Sequence, residues 1–250
     1  TVFSMIGMGG GILYLPVLLF AGFSFKDAPA ISLILIVATS TAALFTFWRN
    51  RKIDWKLALV IDPATDVMAF VGGYFSALIS ESILRGILAG VLMIAGTLML
   101  KDKLRRDTSK IPGGGGWWLW NRSFNGVNYT VNLPLVLTAA VFIGILSGML
   151  GVTGGMIKLP IMVLLCGVPM DIAIATSTIM VAATALSGLA GHAVNGQVDW
   201  RTGLVLAIVA VMGGLIGSKI SISMNKVRLK KIFGLIVWLL AIHIVIQLFT

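Results

Sequence analysis

Apolar residues run through this chain in long blocks rather than in alternation, and polar residues collect in the short stretches between the blocks. Continuous runs lie at about 29–48, 57–77 and 84–100, and again at about 172–192, 202–222 and 229–249. Each is long enough to cross about 30 Å of hydrocarbon as a helix, and the strict alternation that a membrane β-barrel needs is absent. Two further apolar segments, residues 1–22 and 132–168, are interrupted by glycine runs. The pattern predicts an all-α, polytopic membrane protein.

The interruptions are copies of each other. Gly7-Met8-Gly9-Gly10-Gly11-Ile12-Leu13-Tyr14-Leu15-Pro16 matches Gly151-Val152-Thr153-Gly154-Gly155-Met156-Ile157-Lys158-Leu159-Pro160 at a shift of 144. At that shift Asp27 falls on Asp171. At a shift of 145, Asn50, Asp54, Trp55 and Lys56 fall on Asn195, Asp199, Trp200 and Arg201, and Gly72 and Ser76 on Gly217 and Ser221. So many matches in one register define an internal repeat. The expected organisation is repeat 1 at 1–100, an interfacial linker at 101–131 and repeat 2 at 132–250. Each repeat is a glycine-broken hairpin segment followed by three transmembrane helices. The second motif is preceded by an apolar segment from about Val131, whereas the first lies close to Thr1, so the first helix is expected to start upstream of this sequence.

Loop charge gives orientation. In repeat 1 the loop carrying Arg49, Arg51, Lys52 and Lys56 is basic and the next, Ser80 to Arg85, is balanced. Repeat 2 exchanges them: the loop from His192 to Arg201 is balanced, and Lys219, Lys226, Arg228, Lys230 and Lys231 follow the next span. Homologous loops with exchanged charge predict inverted repeats, with parallel four-helix repeats as the alternative. The glycine-broken segment must then return to its own side, as a re-entrant hairpin or as two short spans meeting at the glycines.

Composition agrees: 58% of residues are hydrophobic and 11% charged, with a mean hydropathy of +1.02. The formal charge of +10 reads as topology signals facing cytoplasm and lipid headgroups rather than as a nucleic-acid surface. Trp117, Trp118 and Trp120 fit an interfacial loop better than a ligand cage. A lone Cys166 excludes a disulfide framework within the chain, and no metal, nucleophile or nucleotide motif stands out. No cofactor and no enzymatic activity are expected.

Glycine turns that open helices aim free amides and the positive end of a helix dipole into the gap, which suits an anion. Close helix packing through small residues is the alternative. The candidate substrate-binding residues are Gly7, Gly9, Gly10, Gly11, Gly151, Thr153, Gly154 and Gly155, with Pro16 and Pro160 marking the breaks. Lys158, where repeat 1 has Tyr14, is either an anion ligand or a side chain that snorkels to the interface. Hydroxyls at Ser32, Thr39, Ser40 and Thr41, and at Thr176, Ser177, Thr178 and Thr184, can complete an anion's hydrogen bonds or bond their own backbone. Ser32, Thr176 and Ser177 are the candidates among them. Asp62 and Asp66, four apart on one helix face, are either a proton-coupling site or a solvated pair, and their repeat equivalents Ala207 and Val211 are apolar. His243 reads as a packing residue and His192 as interfacial.

The paired glycine motifs, the Ala173-Ile174-Ala175-Thr176-Ser177 stretch and the Asn-x-x-(Val/Ile)-Asp-Trp-(Arg/Lys) loop resemble the TauE/SafE family of sulfite and sulfonate exporters, also called the TSUP permeases. The resemblance covers nearly the whole chain apart from the linker. It implies a secondary transporter in a prokaryotic inner membrane that moves sulfite or small organosulfonates outward by alternating access, with protons as a candidate coupling ion. By motif position the family's glycine sites fall on Gly7, Gly9, Gly10, Gly11, Gly151, Gly154 and Gly155, and Thr153 stands where a fuller motif has Gly. The partners expected are a small sulfur anion and the bilayer, not nucleic acid, and the oligomeric state is not readable. An anion channel or a permease for another small anion on the same fold is the alternative.

Overall fold

The computed structural model describes residues 11–49, 52–100, 118–152, 154–164 and 166–223, and isolated positions between 235 and 246. Gly7, Gly9, Gly10, Thr153, His243, the Lys101 to Lys110 stretch and Lys226 to Lys231 lie outside the described residues.

Helices α1 (Gly11–Phe20), α2 (Ala28–Arg49), α3 (Trp55–Phe75) and α4 (Glu81–Leu100) come first. A hairpin of β1 (Leu119–Phe124) and β2 (Val127–Asn132) follows, then α5 (Leu133–Leu150), α6 (Gly155–Leu164), α7 (Met170–Val194) and α8 (Trp200–Ser223). Among the described residues, four stretches are long and apolar enough to cross a membrane: Ala28–Phe45, Trp55–Leu78, Leu133–Leu150 and Ile172–Val194. Their outward residues are apolar as well. Leu204, Val205, Ile208, Val209 and Met212 on α8 are all more than half exposed, which favours lipid around the helix rather than water.

Two pairs of helices share local features. Helices α1 and α6 are both ten residues long with proline at the sixth position. Helices α3 and α8 both open on an aspartate: Asp54 accepts from the N–H groups of Lys56 and Leu57, and Asp199 accepts from the N–H and hydroxyl of Thr202. An N-cap aspartate satisfies first-turn amides that have no partner within the helix.

Packing sets the directions. Helix α5 runs parallel to α3, since Gly144 lies against Thr65 and Gly148 against Ala69 and Gly73. At Gly148 a Cβ would collide with the Ala69 carbonyl, so the two backbones meet there because the residue is glycine. Helix α7 is also parallel to α3, with Asp54 beside Thr176 and Gly191 against Phe70 and Tyr74. Helix α2 is antiparallel to α7: Leu33, near its start, reaches Gly188, and Asp54, just beyond its end, reaches Thr176.

The hairpin is the departure from the all-α expectation, and all but its last residue falls inside the stretch read as linker. Its turn is Asn125-Gly126, both with positive φ (50° and 77°), the geometry of a two-residue type I′ connection. Phe124 pairs with Val127 and Trp120 with Val131. Tyr129 and Val131 are buried in the cluster that also holds Ile53, Leu57, Cys166 and Val168, so the hairpin covers that end of the bundle.

Candidate functional site

The second glycine run breaks the chain as its composition predicts. Helix α5 ends at Gly151, whose left-handed backbone (φ 61°) favours glycine. A Cβ there would also collide with the Pro29 backbone. Ser32 on α2 donates to the Gly151 carbonyl at 2.7 Å, holding an acceptor freed by the break. Helix α6 then starts deep in the protein: Gly154 and Gly155 are buried, and Gly154 lies against Ile143, well back along α5. The first intrahelical bond of α6 runs from Lys158 N–H to the Gly154 carbonyl at 2.8 Å. The amides of residues 155–157 precede that bond, so they find no partner in their own helix.

Lys158 sits one turn into α6. It is 3% exposed, so it does not snorkel to an interface. Its Nζ donates to Asp62 Oδ1 at 2.6 Å and to Thr184 Oγ1 at 2.8 Å, and the Thr184 hydroxyl in turn donates to Asp66 Oδ1 at 2.9 Å. Helices α3, α6 and α7 thus join four polar side chains inside an apolar frame of Ile61, Ile143, Ile161, Met162 and Met180. Asp62 is buried rather than solvated. A buried ion pair is retained only with close geometry and satisfied hydrogen bonds. One ammonium faces two carboxyls, so the cluster is electroneutral only when it also holds one proton.

Repeat 1 carries a neutral version of the same arrangement. Tyr14, at the position of Lys158, hydrogen-bonds Thr39, at the position of Thr184. Ala207, at the position of Asp62, packs in the same cluster as Tyr14. The two motifs also meet: Leu13 and Leu15 of α1 share a buried cluster with Met149, Leu150 and Val152.

The other hydroxyls are used structurally. Thr176 Oγ1 accepts from Asp54 N–H at 3.0 Å, Ser177 donates to the Ile174 carbonyl at 3.0 Å, and Thr178 donates to the same carbonyl at 2.9 Å. By contrast the hydroxyls of Ser40, Thr65 and Ser147 are buried without a hydrogen-bond partner among the described residues. Thr65 was not singled out by the sequence, although its spacing of three from Asp62 places it on that residue's helix face. Pro16 is buried within α1, and Pro160 lies within α6.

His192, near the end of α7, is buried within the protein. It is 1% exposed, its Nε2 lies 2.9 Å from the Gly148 carbonyl, and its Nδ1 lies 3.0 Å from Gln197 Oε1. Its apolar equivalent in repeat 1, Phe47, hid this role, because a histidine before a loop reads as an end residue unless the carbonyl it meets is known.

At the opposite end of α3, Asp54 is fully buried. Arg122 of β1 grips it through two bonds, at 3.0 and 2.8 Å, and Tyr129 of β2 adds a hydroxyl bond. Burial would push the Asp54 carboxyl up, but the bonds from Arg122, Tyr129 and the Leu57 amide, with the Arg122 charge, hold it below the usual carboxylate range. Burial and the bond to Asp54 raise the Tyr129 phenol. This is a latch fastening the hairpin to the start of α3.

A chain with several membrane-crossing helices, a duplicated broken segment and a charged cluster buried where the second break begins has the parts of a carrier. The family model described as Sulfite exporter TauE/SafE matches residues 1–244. The "Probable membrane transporter protein YunE" of Bacillus subtilis (strain 168) is 27% identical, over 99% of this chain and 93% of its own length. The "Probable membrane transporter protein YfcA" of Escherichia coli (strain K12) is also 27% identical, over 87% of this chain and 75% of its own. No solved structure matches the chain. With the family model covering all but the last residues, this chain belongs to the TauE/SafE family and is a multi-pass membrane transporter rather than an enzyme.

Proposed function

We propose that this protein exports small sulfur-containing anions, sulfite or organosulfonates, across a prokaryotic inner membrane by alternating access. The observation that carries the reading is the buried Lys158 beside the α6 N-terminus. It is a fixed positive charge next to first-turn amides that have no partner in their own helix, at a depth where a carrier needs to replace an anion's hydration. The name of the matching family, sulfite exporter, supports the substrate class and the direction.

In this conformation Lys158 is occupied by Asp62. An entering anion competes with Asp62 for the ammonium, and a proton on Asp62 or Asp66 releases the lysine, so proton and anion move together. Thr65 and the amides of Gly154 and Gly155 complete the anion's hydrogen bonds, and repeat 1 contributes Gly7, Gly9, Gly10 and Gly11 of its own copy of the motif. Ser32, Thr176 and Ser177 support the site by holding its backbone. The antiparallel course of the homologous helices α2 and α7 supports inverted repeats, whose rocking exposes the site to each side in turn.

The test is sulfite or sulfoacetate uptake into proteoliposomes under an imposed pH gradient. Saturable flux driven by the gradient, lost in Lys158→Gln and insensitive to the gradient in Asp62→Asn/Asp66→Asn, is expected. Flux linear in concentration, or unchanged in Lys158→Gln, overturns the reading.

A further inference from the structure

Four elements meet at Asp54, the residue that starts α3. Its N–H donates to Thr176 Oγ1 of α7 at 3.0 Å, its carboxylate accepts two bonds from Arg122 of β1 at 3.0 and 2.8 Å, and Tyr129 of β2 adds its hydroxyl. The Arg122 guanidinium also lies 5.7 Å from the centre of the Trp120 ring. The hairpin is continuous with α5: Asn132 is both the last residue of β2 and the N-cap of α5, and the Leu133 N–H donates to the Trp118 carbonyl at 3.0 Å. The latch therefore ties the start of α3 to the start of α5 and, through Thr176, to α7.

The two halves of α3 are held in different ways. Beyond Thr65 its backbone is locked against its neighbours through glycine: a Cβ on Gly72 would collide with the Ile145 carbonyl, one on Gly73 with the Gly188 carbonyl and one on Gly148 with the Ala69 carbonyl. Backbones this close leave no room to slide, so this half is a fixed pivot. Before Thr65 the packing is looser. An apolar cavity of about 10 Å³, roughly the room one water needs, lies between Ile61, Val136, Ala140 and Met162, with Lys158 at its edge. Nearer the hairpin, the turn after α6 carries Cys166, buried in the same cluster as Ile53, Leu57, Tyr129 and Val131. A lone two-stranded hairpin has little stability in water, so burial of Tyr129 and Val131 and the bonds to Asp54 are what keep it docked. Asp199, which starts α8 as Asp54 starts α3, is exposed and bonds Thr202 in its own first turn.

We propose that the hairpin is a lid, and its latch to Asp54 a gate, at this end of the carrier. With Arg122 and Tyr129 on Asp54, the start of α3 is drawn against α5, α6 and α7, and Lys158 is sealed from that end. When the latch releases, the first half of α3 swings about the glycine pivot, the hairpin stays with α5, and the apolar cavity widens into a path to Lys158. Asp199 stands at the other end of α3, where Asn195 bonds the Tyr74 carbonyl, and among the described residues no hairpin covers it. The lid thus makes the two ends unequal and biases the resting protein toward closure at Asp54. The inference rests on the carrier reading above.

The experiment labels Cys166, the single cysteine of the chain, with N-ethylmaleimide in proteoliposomes below the melting temperature of every variant, and then measures sulfoacetate uptake by the labelled protein. Labelling tracks the open population when opening and closing outpace the reaction. Wild type should label slowly. Arg122→Met is expected to label at least tenfold faster, the effect of losing a charge-assisted hydrogen bond, and Tyr129→Phe, which keeps the packing, about fivefold faster. Asp199→Asn, the same cap without a lid, should label at the wild-type rate. An adduct at Cys166 props the lid open, so labelled Arg122→Met should lose uptake, while Arg122→Met/Cys166→Ser keeps it under the same reagent. Wild-type labelling rates in Arg122→Met and Tyr129→Phe overturn the lid; if Arg122→Met does not fold, Tyr129→Phe decides alone. An equal gain in Asp199→Asn also overturns it, because that is general loosening, as does full uptake by labelled Arg122→Met. Labelling as expected in a wild-type protein and variants that take up no sulfoacetate keeps the lid and refutes the anion-carrier reading.

Discussion

Replacing Lys158 with methionine keeps most of the side chain's length and removes its charge. In the wild type the ammonium lies 2.6 Å from Asp62, with side-chain exposures of 3% and 8%. Removing one partner of such a pair leaves a carboxylate in an apolar frame and costs about 3–5 kcal/mol. Thr184 still reaches both Asp66 and Asp62, at 2.9 and 3.3 Å, so about 3 kcal/mol is expected. At about 2–4 °C per kcal/mol for a chain of this size, the melting temperature should fall by roughly 6–12 °C. The double variant Lys158→Met/Asp62→Leu replaces the whole pair with apolar groups, an exchange that is often neutral. It should return to within about 1 kcal/mol of wild type. Thermal unfolding in detergent measures the cycle, and sulfite uptake by the same proteins separates the roles: the double variant should be stable and inactive. A single variant as stable as wild type, or a double variant as unstable as the two singles added, refutes the electrostatic reasoning. A stable double variant that transports sulfite normally removes Lys158 from the transport step.

Three further outcomes are expected. Arg122→Met should cost about 2 kcal/mol by leaving the buried Asp54 carboxylate with fewer partners, measured as a loss of thermal stability. Because folding lowers the pKa of Asp54, its contribution is fully present above the unfolded value of about 4 and is lost as pH falls through the folded value; Asp54→Asn should flatten that acid-side decline. Gly151→Ala forces a side chain into a left-handed backbone against Pro29, and should cost at least about 1–2 kcal/mol and reduce transport. Cys166, 2% exposed, should resist maleimide in the folded protein and react on denaturation; rapid labelling of the native form would show that α6 and its following turn open.

Much of the fold was legible because membrane helices announce themselves locally. The apolar runs, the repeated glycine-to-proline motif and the aspartates at Asp54 and Asp199 each depend on neighbours in the chain: spacing along one helix, a backbone that only glycine adopts, a cap reaching its own first turn. The Asn125-Gly126 turn is equally local and was passed over because the tryptophans around it suggested an interfacial loop.

What a side chain meets on another helix is a different kind of information. Lys158 and Asp62 are 96 residues apart, and Asp54 and Thr176 are 122 apart; composition could name them as polar residues at depth but not as partners. The fates of Ser32, spent on Gly151, and of Thr65, left without a partner among the described residues, were likewise set by the register of α2 and α3 against α5 and α7. By itself the sequence determined where helices form and where α5 gives way to α6, because those follow from hydrophobicity and backbone preference. Only the tertiary structure decided which buried charges neutralise one another and which hydroxyls stay free, because in a low-dielectric interior a polar group's role is settled by the few ångströms to its nearest partner.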